Sequence, residues 1–407
     1  MLILQFYNFL TITILAQYKL QIIKNFLKLP KILYFFCFLL IISVFFTYFT
    51  TPAFEITGID FLGQATLPKG LSFQKTPVGG LSGITYDAEK QVYYAISDDR
   101  SERSPARFYT FKIDLSKGSL KNSDVTLVGV TKLRNESDHA FDIGAIDAEG
   151  IALASWKTLF ISSEVDPFIQ EFLLSSGRKQ TALPMPRKFL PKQNHQHGIR
   201  NNLAFESLTI TPDKKHLFTA TENALIQDGL EAKPNLGSHC RIVQYNLLTK
   251  KPEKEFLYPT EPVAPFLNLF HMFTSGLSDL LALDNQGHFL SVERSFTGLG
   301  FSIALFQVSL EGGDNIFHIN SLLATNVKKI RPVQKKLLLD LSSLHILLDN
   351  IEGLTLGPIL PDGHHSLILI SDNNFNLIQR TQILAFRLKI KTLPIGLFPR
   401  FMPNFNR

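Results

Sequence analysis

One pattern recurs five times along this chain and constrains it more than any other feature. A small polar or acidic residue opens a short apolar run, and a second acid closes the run that follows. The openings are Ser82-Gly83-Ile84-Thr85-Tyr86, Glu149-Gly150-Ile151-Ala152-Leu153, Glu206-Ser207-Leu208-Thr209-Ile210, Asp279-Leu280-Leu281-Ala282-Leu283 and Glu352-Gly353-Leu354-Thr355-Leu356. The closings are Ser97-Asp98, Ser163-Glu164, Thr221-Glu222, Val292-Glu293 and Ser371-Asp372. Opening and closing residues lie 16, 15, 16, 14 and 20 positions apart, which suits a β-hairpin with a turn or modest loop. In an antiparallel hairpin the first residue of one strand and the last of the next share an end, so both acids of a repeat sit at one sheet edge. Five such units related by rotation would gather nine carboxylates and one serine on a single face.

Each hairpin is followed by a third run, such as Arg107 to Leu115, Arg241 to Leu247 or Ser302 to Leu310, and in places by a fourth, such as Val125 to Val130 or Lys336 to Leu341. These runs are short, rich in β-branched and aromatic residues, and bounded by Gly, Pro, Asn and Asp. Four antiparallel strands per repeat make the blade of a β-propeller. The expected fold is therefore all-β, a β-propeller over residues 54–390 with five readable repeats and five or six blades, preceded by an N-terminal transmembrane helix. Repeat starts are 67, 57, 73 and 73 residues apart, and insertions at Phe256 to Phe273 and Glu311 to Val333 account for the longer intervals. The last repeat has no clear fourth strand, while Ile56 to Leu67 is a strand without a repeat. Pairing the two would close the ring and remove the exposed edges. Residues 391–407 read as an irregular tail.

Residues 1–53 carry four lysines and no acid, and Ile32 to Thr50 is uncharged for 19 residues. At 1.5 Å per residue this length just crosses a hydrocarbon core of about 30 Å. The lysines precede the span, which leaves the N-terminus inside and exports the rest, as a membrane-anchored or, if the leader is cleaved, a secreted domain. Beyond residue 53 the net charge falls to +2, so the pI of 9.1 comes largely from the leader. A basic face for gripping phosphate backbones is not indicated, and nucleic acid is not an expected partner. Of the two cysteines, Cys37 lies in the apolar span and Cys240 alone in the body, so the exported part is held by its core and not by a disulfide. The sequence is silent on oligomeric state.

The repeats also carry a resemblance. Gly80-Leu-Ser-Gly-Ile-Thr-Tyr-Asp87 with Tyr94-Ala-Ile-Ser-Asp-Asp99, Asp147-Ala-Glu-Gly-Ile-Ala152, Ser163-Glu164, Asn202-Leu-Ala-Phe-Glu-Ser207, Val292-Glu-Arg294, Asp349-Asn-Ile-Glu-Gly353 and Ser371-Asp-Asn-Asn374 resemble the phytase-like family, known as "esterase-like activity of phytase". The resemblance covers roughly residues 58–390 and implies a β-propeller with phosphoester hydrolase activity on a small phosphorylated substrate. The DAADDPAIW-type and NNFDIR-type motifs of alkaline propeller phytases are absent, and Asp372-Asn-Asn-Phe-Asn376 only echoes the second.

Carboxylates crowded at one mouth repel one another unless cations intervene. Calcium accepts six to eight oxygens in loose geometry, and its candidate ligands are Asp98, Glu149, Glu164, Glu206, Glu222, Glu293, Glu352 and Asp372, with Asp99, Asp279 and Asn373 behind them. Arg100 and Arg294 each follow directly on an acid or acidic pair and are the candidate phosphate contacts. A bound metal clamping a phosphoryl group and activating water would need no covalent nucleophile. Gly80-Leu-Ser-Gly83 is not a G-x-S-x-G elbow, and no P-loop or H-E-x-x-H occurs. Against this stands a structural reading, in which an acid at a strand end bonds amides of the next blade. That reading is stronger for Glu149, Glu206 and Glu352, which precede Gly or Ser, than for the second-strand acids. His195 and His197 read as a solvated loop, and Trp156 as core or inter-blade packing. A non-catalytic propeller that binds a protein, glycan or lipid partner is the alternative function.

Overall fold

The second strand of each repeat shows why the chain forms a stack of sheets. In Val92–Ser97 every residue is buried, with no polar face, so both sides of the strand must be covered. Tyr93 and Ala95 pack with Ile368, Ile370 and Ile383 on one side. Tyr94 and Ile96 pack with Ile151, Leu159 and Phe172 on the other. Alternate side chains of one strand thus enter two different inter-blade cores.

The computed structural model describes residues 55–191, 196–263, 273–297 and 300–391. Within them are five four-stranded antiparallel sheets. Blade 1 runs from Leu81–Asp87 through Val92–Ser97 and Arg107–Ile113 to Val125–Lys132. Blade 2 comprises Ala148–Leu153, Thr158–Ser163, Phe168–Leu173 and Lys179–Leu183. Blade 3 comprises Phe205–Ile210, His216–Thr221, His239–Asn246 and Lys251–Pro259. Blade 4 comprises Thr274–Ala282, His288–Phe296, Phe301–Ser309 and Gln334–Asp340. Blade 5 is built from Asn350–Ile359, His365–Asp372 and Gln382–Lys391, and its fourth strand is the N-terminal Glu55–Thr66. The first strands touch one another in cyclic order from blade 1 to blade 5 and back to blade 1. The fold is a five-bladed propeller closed by the strand that had no repeat of its own.

Further inter-blade cores join blade 2 to blade 3 around Phe160, Phe205 and Tyr245, and blade 3 to blade 4 around Phe218, Phe289 and Phe306. The insertion after blade 4's third strand folds over Leu257 through Ile316 and Leu322. A buried charge cluster ties it down: Arg241 bonds Asp228 and Glu255, and its Nη1 also donates to Ile319 O.

Trp156 is the reverse of the packing residue expected. It lies in the turn between blade 2's first two strands, is 62% exposed, and has Lys157 Nζ 4.1 Å from its ring centre. The leader, its span at 32–50, and residues 392–407 lie outside the described residues, as does His195. Among the described residues no helix is long and apolar enough to cross a membrane.

Candidate metal centre at the axial mouth

Each innermost strand is interrupted at the same place. The pairing of first and second strands slips between Leu81 and Gly83, Ala148 and Ile151, Phe205 and Ser207, Leu277 and Asp279, and Ile351 and Gly353. The residues at these bulges are Ser82, Glu149, Glu206, Ser278 and Glu352, and a bulge re-aims the side chain it carries. Two positions earlier stand Gly80, Asp147, Ala204, Gly276 and Asn350. Across from these, at the ends of the second strands, stand Asp98, Glu164, Glu222, Arg294 and Asp372. These positions converge where the five sheets meet, and Asp98, Glu149, Glu164, Glu206, Glu222, Arg294, Asn350, Glu352 and Asp372 among them line a cavity of about 1030 Å³.

The fourth repeat departs from the expected pattern by one position. Its bulge holds Ser278 rather than Asp279, and its closing position holds Arg294 rather than Glu293. One step along a strand turns a side chain to the other face, so neither acid reaches the mouth. Glu293 instead accepts from Lys335 Nζ at 2.6 Å, Tyr258 Oη at 2.7 Å and the Glu261 amide at 2.7 Å. Asp279 accepts the amides of Leu280 at 2.8 Å and Leu354 at 2.7 Å, and the Leu208 amide as well, linking blades 3, 4 and 5. Bulge and closing positions together thus hold seven carboxylates, two serines and one arginine.

The two serines and Asp279 make the blade-to-blade links expected of the first-strand acids. Ser82 Oγ donates to Ala148 O and Glu149 O, and Ser278 Oγ to Ile351 O. Glu149, Glu206 and Glu352, for which that role was the stronger expectation, line the cavity instead. So do Asp98, Glu164, Glu222 and Asp372, although Glu164 also accepts the Ala204 amide of blade 3 at 2.6 Å.

The two arginines sit differently. Arg294 Nη2 bonds Glu222 at 2.7 Å, while Nη1 bonds Glu352 at 2.9 Å and Asn350 Oδ1 at 2.7 Å. Arg100 remains 40% exposed, with Nη2 at 2.6 Å from both Asp147 Oδ2 and Asn202 Oδ1. Arg100 and Ser101 both have positive φ, as do Asn374 and Phe375 on the facing loop. Backbone strain of this kind concentrates at functional sites. Asp99 is not part of the mouth chemistry, since it pairs with fully buried Arg107 at 2.6 Å and anchors the loop that follows.

Burial dominates the electrostatics. It pushes the Asp98 carboxyl up to about 6, Glu164 to about 7 and Glu352 to about 8, with neighbouring acids adding to the first two effects and Arg294 opposing the third. Glu149, Glu206 and Asp372 are raised well above the usual range by burial, and by the surrounding carboxylates in second place. Without a metal ion, burial and crowding favour the protonated forms of these acids. Glu206 shares a side-chain hydrogen bond with Glu164.

Asp147, Glu149 and Glu164 form the tightest group, each offering an oxygen within 4.8 Å of the others, and all are buried. Arg100 pairs with Asp147 Oδ2, so one cation faces three carboxylates. Three buried carboxylates beside a single arginine offer the all-oxygen donor set that fits a hard dication such as calcium. Asp147 is the residue that sequence reasoning missed. Its place directly across from Glu164, two positions before the bulge, is set by the strand pairing.

Comparison with known proteins places these repeats. A family model described as phytase-like, esterase-like activity of phytase, matches residues 76–375. An uncharacterised secreted protein of Arthroderma benhamiae is 25% identical over 132 residues, covering 27% of this chain and 25% of that protein, so the match spans a quarter of the relative's length. Among solved structures, the glutaminyl cyclase of Myxococcus xanthus aligns over 82% of this chain and 97% of its own, at 9% identity and a TM-score of 0.39. An endo-1,4-beta-xylanase of Bacteroides thetaiotaomicron aligns over 75% and 90%, at 12% identity and a TM-score of 0.39.

Proposed function

This chain belongs to the phytase-like family, and from that premise we propose that it is an exported, calcium-assisted phosphoester hydrolase acting on a small phosphorylated substrate at the axial mouth. The observation that carries the reading is the buried group Asp147, Glu149 and Glu164, set within a mouth of seven ring carboxylates. These three residues would hold calcium, with Asp98 and Glu206 beside them. Bound there, the ion supplies positive charge to a phosphoryl oxygen and to an attacking water.

The remaining chemistry belongs to side chains. Arg100 is the assigned phosphate contact, because it is half-exposed at the cavity and held in place through Asp147 and Asn202. Arg294 was the other candidate, but two of its nitrogens are committed to Glu222, Glu352 and Asn350. Glu206 lies beside the three, and burial raises its carboxyl well above the usual range, so it is the mouth acid suited to hold a proton next to the ligand set. Export is supported by the leader composition and by the secreted character of the fungal relative. Anchoring through residues 32–50 remains part of the proposal.

The commitment of Arg294 favours a second reading, in which the mouth captures a protein, glycan or lipid partner through a bound cation and turns nothing over. Thermal melting in excess calcium and then in chelator, followed by a phosphomonoester panel, separates the two. A shift of several degrees is expected, since a ligand at 100 times its Kd stabilises by about 2.7 kcal/mol, together with hydrolysis that Glu164→Gln abolishes. A shift without hydrolysis supports capture, and no shift removes the metal from both readings.

A further inference from the structure

We infer that Arg294 is a resident cation standing where a second metal ion would otherwise sit, so that the mouth binds a single divalent ion, on the blade 2 side. The inference rests on the calcium reading above and specifies its stoichiometry and position.

The fivefold pattern supplies the first argument. At the closing position four blades present an acid, namely Asp98, Glu164, Glu222 and Asp372, and blade 4 alone presents a cation. The bulge of blade 4 is likewise neutral, since Ser278 donates to backbone oxygens of Val292 and Ile351. Blade 4 therefore brings no carboxylate to the centre.

Contacts supply the second. Arg294 bridges Glu222 of blade 3 and Glu352 of blade 5, the acids on either side of it. Gly276, directly opposite Arg294 in the pairing, makes room for this: a Cβ there would collide with the Glu222 side chain. Asn350 accepts from Arg294 Nη1 and donates to Glu352, so the guanidinium is seated from two directions. A planar, permanently charged fork in this setting does the neutralising work of an ion without exchange.

The opposite half of the mouth has no such occupant. There the nearby arginine is Arg100, which comes from an exposed loop and pairs with Asp147 alone among Asp147, Glu149 and Glu164, whereas the buried Arg294 pairs with two acids. Exchangeable metal is directed there.

Calorimetric titration of the chelator-stripped full chain with calcium chloride tests this, comparing wild type with Glu164→Gln, Glu352→Gln and Arg294→Gln. One ion per chain is expected for wild type and for Glu352→Gln at similar affinity. Glu164→Gln should weaken binding by at least about tenfold, as loss of a group at a metal site does. Arg294→Gln should take up two ions, because Glu222 and Glu352 are released. No uptake by wild type would remove the calcium reading itself. Uptake of two ions by wild type, a single ion in folded Arg294→Gln, or a loss beyond tenfold in Glu352→Gln would each overturn the inference and leave the calcium reading standing. If Arg294→Gln folds only in calcium, that supports the exchange of roles, and Glu352→Gln decides the matter without it.

Discussion

Gly276 and Gly80 hold two mouth carboxylates in place by what they lack. A Cβ on Gly276 would overlap Glu222, and one on Gly80 would overlap Asp98. Gly80 also has φ +60, so a substitution there mixes backbone strain with the collision. Gly276 carries no such strain, and Gly276→Ala crowds both the Glu222 side chain that pairs with Arg294 and the Glu222 backbone oxygen. We expect a loss of about 1–3 kcal/mol, the usual range for overpacking a dense core, read as a lowered urea midpoint. Asp279 offers a second residue-level test. It stands where blades 1, 2 and 5 have glycine and where blade 3 has Ser207, and its carboxyl closes amides from three blades. Asp279→Ala would leave buried N–H groups unpaired at about 1–3 kcal/mol each. A urea midpoint for Asp279→Ala well below that of the wild type would show that this buried acid links blades; an unchanged midpoint would contradict it.

At the scale of strands, ring closure depends on Glu55–Thr66 pairing with Gln382–Lys391. Deleting residues through Thr66 would strip blade 5 of its outer strand and expose a ten-residue edge, a template for pairing with other chains. The truncated protein should elute as oligomers or aggregate, while the chain with that strand intact should not. A monomeric, equally stable truncation would mean that closure lies elsewhere. This strand was legible beforehand, because it was an apolar run with no hairpin partner while the last repeat lacked a fourth strand. The blades were legible too, since strands buried on both faces must be short, apolar and bounded by turn residues. The register of blade 4 was not. Asp279-Leu-Leu imitates Glu-Gly-Leu and Val292-Glu293 imitates Ser-Glu, so the eye aligns acids with acids. The pairing aligns Ser278 with Glu149 and Arg294 with Glu164, because the bulge, invisible in composition, sets which side chain turns to the axis. Asp147 escaped notice for the same reason.

For the whole molecule, the raised carboxyls translate into a pH dependence with a definite sign. In an unfolded chain these groups titrate near pH 4. In the fold, burial holds Asp98 at about 6, Glu164 at about 7 and Glu352 at about 8. Between the two ranges the folded state binds more protons than the unfolded one, so stability falls as pH rises. The contribution is complete below about pH 4, is lost progressively through those values, and is absent above the highest of them. A two-unit shift corresponds to roughly 3 kcal/mol. Surface acids such as Asp60 and Asp213 act oppositely, their side-chain hydrogen bonds to Lys389 and Thr211 leading the causes that hold them below the usual range. Their stabilisation disappears only as pH falls into the acid range, which is why the comparison starts at pH 5. The metal-free protein should therefore melt several degrees higher at pH 5 than at pH 8.5, the reverse of what surface ion pairs alone would give. Calcium should restore the lost stability at pH 8.5, where the carboxylates of the mouth are ionised and able to ligate, and should do little at pH 5, where protons already occupy them. Melting curves across this range, with and without chelator, check both halves. A metal-free protein that melts higher at pH 8.5 would mean that the mouth acids are ionised in the apo fold and that some other charge neutralises them.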